Sequence, residues 1–93
     1  MRLKVEFTTE PFELDTFPDH AVAARQAVDE AGLTVAVGPF GTEAEGRGEL
    51  VLAAVTRLLR ESLDAGATQI SLQVTLLDQD KTDDNTPEGV GNP

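Results

Sequence analysis

The sequence predicts an α+β domain with the order strand, helix, strand, strand, helix, strand. Three observations carry this. Leu3, Val5 and Phe7 alternate with Arg2, Lys4, Glu6 and Thr8, the two-residue period of a strand with one buried face. Apolar residues between positions 49 and 65 recur at helical spacing. Two short strand-like stretches on either side of Gly38-Pro39 stand too close together for a crossover helix, so they form an antiparallel hairpin.

The first strand covers residues 2–8. Residues 9–17 read as a loop holding Glu10-Pro11-Phe12. Thr16 followed by Asp19 predicts a helix N-cap, with Pro18 in the first turn. The first helix is expected over residues 18–31, with Ala21, Ala24, Val28 and Ala31 as its apolar stripe and Gly32 as its stop. Leu33, Val35 and Val37 alternate as the second strand, and Phe40 to Glu45 returns as a weaker third, broken by Gly46-Arg47-Gly48. The second helix is expected over residues 49–65. Val51, Leu52, Val55, Leu58, Leu59 and Leu63 point inward, Arg57, Arg60, Glu61 and Asp64 face water, and Gly66 closes it. The last strand covers residues 68–77, with Ile70, Leu72, Val74 and Leu76 inward and Ser71, Gln73 and Thr75 outward.

Two right-handed crossovers in this order place both helices on one face of a four-stranded antiparallel sheet whose central strands are the first and third, a ferredoxin-like arrangement. The other face then shows Lys4, Glu6, Thr34, Ala36, Ser71, Gln73 and Thr75. So small and lightly charged a set is either an ordinary wet sheet face or a surface that packs against another subunit.

Composition bounds the rest. A chain of 93 residues holds one domain, and its four aromatics (Phe7, Phe12, Phe17 and Phe40) leave a core mostly of Val, Leu and Ala. A core that thin is often supported by oligomerisation. The net charge of −10 argues against nucleic acid and anionic membranes and favours neutral or cationic partners. Some of that charge sits at the end: residues 1–77 form the predicted folded domain, and residues 78–93 an acidic tail expected to be disordered for want of apolar surface. Its run from Asp78 to Asn85 loosely resembles a calcium loop but lacks the central Gly, so it reads as solvated charge. No targeting pattern or membrane-spanning run is legible, and the cytoplasm is the expected compartment.

Chemistry is sparse. There is no Cys, and His20 is the sole histidine. Disulfides, thiolate catalysis and Cys-zinc sites are excluded, a Ser-His-Asp constellation is improbable, no metal site or cofactor is expected, and neither is catalysis. One segment stands out. Gly38-Pro39-Phe40-Gly41-Thr42 puts an aromatic in what should be a polar turn, with two flanking glycines, a hydroxyl at Thr42 and a carboxylate nearby at Glu45. The set suits a flat cationic heterocycle. From spacing alone the set suits better a turn shaped by Gly and Pro in which Phe40 seals the core edge and the acids are solvated.

Val5-Glu6-Phe7-Thr8 with Glu10-Pro11-Phe12, the Gly38–Thr42 segment with Glu45-Gly46, and Ala65-Gly66-Ala67 with Ser71-Leu72-Gln73-Val74 together resemble the small thiamine-binding protein family, over about residues 3–76. The resemblance implies a ferredoxin-like fold, homodimers or homotetramers with ligand sites near subunit contacts, and binding of thiamine or its hydroxymethylpyrimidine part without catalysis. The residues expected at such a site are first Phe40, Gly41, Thr42 and Glu45, then Glu10 and His20, then Ser71 and Gln73. The alternative reading is a regulatory or structural homo-oligomer that binds another small ligand.

Overall fold

The computed structural model describes residues 1–13, 15–39 and 41–78. The elements are β1 (Arg2–Glu10), α1 (Asp19–Glu30), β2 (Thr34–Gly38), β3 (Gly41–Arg47), α2 (Gly48–Asp64) and β4 (Gln69–Asp78). They form one antiparallel sheet in the order β2-β3-β1-β4. This is the expected βαββαβ, ferredoxin-like topology, with β1 and β3 central. The acidic stretch beyond residue 78, including its calcium-like run, lies outside the described residues.

Register fixes which side chains share a face. Lys4 stands opposite Glu45 and Thr75, and Glu6 opposite Glu43 and Gln73, so one face of the sheet is polar. Leu3, Val5 and Phe7 on the other face are buried with Ala24, Ala27, Val28, Ala44, Val51, Ala54 and Leu58. Small alanines on α1 and α2 let the two helices approach each other closely over the sheet.

Several expectations are corrected by this packing. Thr16 does not cap α1. Pro18 is the N-cap, its carbonyl accepts from the Ala21 and Val22 amides at 2.9 and 3.1 Å, and the Thr16 hydroxyl donates to Glu13 instead. Gly46 and Arg47 do not break β3 but stay paired with Leu3 and Arg2, and α2 begins directly at Gly48. On α2 the buried stripe is Val51, Ala54, Leu58 and Ser62, while Leu52, Leu59 and Leu63 are exposed. Each of those leucines follows a buried residue by one position, about 100° round the helix. They form a flank that the narrow helix pair leaves in solvent. Ser62 is tolerated in the core because its hydroxyl donates to the Leu58 carbonyl. On β4, Ile70 and Leu72 pack against the core, but Val74 and Leu76 are exposed. The helices lie mainly over β1, β2 and β3, and β4 is an edge strand beside them.

Arg57 ties the helices together. Its Nε donates to Glu61 and its Nη2 to Glu30, both at 2.6 Å. These hydrogen bonds, to Glu61 first and Glu30 second, hold the guanidinium still more firmly protonated than usual.

Candidate functional site

A cleft of about 400 Å³ opens at the end of the sheet where β1 finishes and β3 begins. Its floor is the last turn of β1, residues Phe7, Thr8 and Thr9. One wall is formed by Phe12, Glu13 and residues 15–18, which lead into α1, and the other is the start of β3, Gly41 and Thr42. The volume is that of a small-molecule site.

Gly41 explains why the second wall sits so close. Its φ is +145°, a conformation that side chains beyond glycine rarely adopt. A Cβ there would lie 2.5 Å from the Phe7 carbonyl oxygen and 2.6 Å from Thr8 Cγ2. The hairpin therefore presses its backbone onto β1, and Thr42, paired with Phe7, turns to the cleft side of the sheet.

The loop wall supplies aromatic surface and charge. Phe12 and Phe17 are 76% and 84% exposed, an unusual state for two of the four phenylalanines of the chain. Glu13 and Asp15 stand between them in sequence, and no Lys, Arg or His is among the lining residues. Exposed rings with carboxylates and no base make a surface that attracts cations. Behind the floor, His20 in the first turn of α1 is buried, and its Nδ1 lies 2.7 Å from Thr9 Oγ1.

Residues 5–90 match the model of the thiamine-binding protein family. The chain belongs to that family. Solved structures agree on the fold. A domain of unknown function from Bacillus cereus is 22% identical with a TM-score of 0.59, covering 80% of this chain and 72% of that one. A hypothetical protein from Methanocaldococcus jannascii is 19% identical with a TM-score of 0.62, covering 91% and 87%. A candidate thiamine biosynthesis or salvage protein from Thermotoga maritima is 24% identical with a TM-score of 0.58, covering 81% of each. No curated protein matches the chain.

For a member of the thiamine-binding family, the sequence-derived site residues fall into separate places. Gly41 and Thr42 line the cleft. Glu45 does not join them: it lies three positions from Thr42 on a strand, hence on the opposite face, where Arg2 pairs with it at 3.2 Å. Ser71 and Gln73 line a second groove of about 420 Å³ on that open face, with Glu6 and Thr8. Glu10 ends β1, exposed, and its carbonyl accepts from the Thr68 amide at 2.8 Å. His20 lies beneath the cleft and reaches it through Thr9. Phe40 is outside the described residues.

Sequence reasoning missed the loop wall. Its signal was present: Phe12 and Phe17 sit beside Glu13, Asp15 and Thr16 in a loop bracketed by Pro11 and Pro18. Thr9 carried none, since nothing in the sequence ties it to His20. Among the described residues no cluster of His, Asp or Glu could hold a metal ion, and no helix is long and apolar enough to cross a membrane.

Proposed function

We propose that this protein binds thiamine or its hydroxymethylpyrimidine part in the cleft between β1, the Phe12–Pro18 loop and the start of β3, without transforming it. One observation carries the reading: in a thiamine-binding family member, the exposed rings of Phe12 and Phe17 border a cleft whose lining holds hydroxyls and carboxylates and, among the described residues, no base. Thiamine is a flat cation. Its thiazolium suits Phe12, Phe17, Glu13 and Asp15, and its pyrimidine suits the hydroxyls of Thr9, Thr16 and Thr42.

A binding role without chemistry rests on the family's description as a thiamine-binding protein. Thr9 and His20 have the spacing of a nucleophile and base, so turnover of a ligand is the result that would overturn it.

The proposal includes a homodimer or homotetramer in the cytoplasm, with the cleft completed near a subunit contact. Exposed apolar side chains support association: Leu52, Leu59 and Leu63 on α2, and Val74, Leu76 and Leu77 on the edge strand β4. Those α2 leucines, Val74 and Leu76 lie on the helix side of the sheet; the polar sheet face that carries Glu45, Ser71 and Gln73 is a second proposed packing surface, through which those residues reach a neighbouring site. Sedimentation showing a monomer at micromolar concentration would remove the oligomer.

A thermal-shift screen of thiamine, its phosphates and hydroxymethylpyrimidine, followed by calorimetry, tests the ligand. Ligand at 100 times its Kd stabilises by about 2.7 kcal/mol, a shift of roughly 10–20 °C for a domain this small. A flat response to all of them favours the structural oligomer, and turnover of any favours an enzyme.

A further inference from the structure

His20 is 3% exposed, its Nδ1 lies 2.7 Å from Thr9 Oγ1, and its Nε2 is buried with no partner among the described residues. The ring can meet this arrangement in two neutral forms. If Nε2 carries the proton, a buried N–H is orphaned and Nδ1 consumes the Thr9 hydroxyl proton. If Nδ1 carries it, Nδ1–H donates to Thr9 Oγ1 and only a lone pair is orphaned. The doubly protonated ring keeps the orphaned N–H and adds a charge out of water. Buried N–H groups without partners are rarer than under-satisfied acceptors. The Nδ1–H form wins on that count.

The consequence falls on the cleft. When Nδ1–H occupies one lone pair of Thr9 Oγ1, the hydroxyl proton of Thr9 is free, and Thr9 lines the floor. We infer that His20 is a positioning residue: held as its Nδ1–H tautomer, it makes Thr9 a hydrogen-bond donor to the ligand. The cleft floor then offers the Thr9 hydroxyl proton to an in-plane ring nitrogen or a hydroxyl oxygen. On the reading that the ligand is thiamine-like, which this extension requires, the pyrimidine sits at Thr9 and the thiazolium at the Phe12–Phe17 wall.

Because His20 is the sole histidine, a long-range ¹H–¹⁵N correlation spectrum of the full chain reads its tautomer directly. The expected result is a protonated-type shift for Nδ1 and an unprotonated-type shift for Nε2. The reverse pattern overturns the inference, whatever the ligand proves to be. Calorimetry with hydroxymethylpyrimidine supplies the second arm. Thr9→Val and His20→Phe should each weaken binding by roughly 3–10-fold, the range of one lost hydrogen bond. Thr9→Ser and His20→Asn, whose amide can still donate from the Nδ1 position, should restore it to within about 3-fold. Loss in His20→Phe with full affinity in a folded Thr9→Val overturns the inference, since His20 would then act only on packing. If the unaltered chain binds neither thiamine nor the pyrimidine, the proposed function fails while the tautomer spectrum still decides the role of His20.

Discussion

Replacing Gly41 by alanine tests whether the hairpin wall is as close and rigid as the geometry requires. Two costs add. The φ of +145° is strained for any residue with a Cβ, by about 1–3 kcal/mol. The new Cβ also lies 2.5 Å from the Phe7 carbonyl oxygen and 2.6 Å from Thr8 Cγ2. Phe7 cannot give way cheaply, because its strand is paired on both sides, with Thr42 and with Leu72. Forcing a methyl into such a contact costs about 1–3 kcal/mol. Reduced freedom in the unfolded chain returns about 0.4–1 kcal/mol. The net loss is ~1–6 kcal/mol, about 3 kcal/mol at mid-range, which is roughly 12–24 °C in Tm at this size. Gly32→Ala is the control: its φ is +79° with nothing within 4 Å of the added Cβ, so only strain of about 1 kcal/mol remains. Urea and thermal unfolding followed by circular dichroism measure both. A loss for Gly41→Ala no larger than that for Gly32→Ala would refute the close approach, and with it the fixed wall of the cleft.

Leu58→Ala removes a fully buried side chain at the centre of the core and should cost about 2–5 kcal/mol by denaturant melts. Arg57→Ala breaks two ion pairs whose members are all at least 38% exposed, so the loss should stay below about 1 kcal/mol and shrink further in high salt. Thr42→Val should weaken thiamine by roughly 3–10-fold in calorimetry with stability retained. Glu45→Gln, on the other face, should leave affinity unchanged in monomers and lower it only if a neighbouring subunit brings Glu45 to the site. Because Glu13 and Asp15 line the cleft with no base, thiamine should bind at least ~10-fold more tightly than its diphosphate at low salt.

The fold was legible because its signals are local. The order of the elements and the short Gly38-Pro39 link are enough to order the sheet, and the alternation that puts Glu6 and Gln73 on one face follows from the pleat. What sequence could not show was how the layers meet. Leu52, Leu59 and Leu63 satisfy a helical stripe, but only packing decides that the buried stripe is displaced toward Ala54 and Ser62. The site was half legible for the same reason. Gly41 and Thr42 announced themselves through backbone chemistry. Thr42 and Glu45 looked like partners by proximity in sequence, yet strand parity sends them to opposite faces. The pairing of Thr9 with His20 spans a loop and exists only once α1 has docked on β1.

Chemical-shift mapping of thiamine and hydroxymethylpyrimidine on the ¹⁵N-labelled chain tests the proposed site most directly. The account predicts saturable shifts concentrated at Thr8, Thr9, Phe12 to Phe17, Gly41 and Thr42. Shifts confined to Glu6, Ser71 and Gln73 on the open sheet face, or no shift at millimolar ligand, would contradict it.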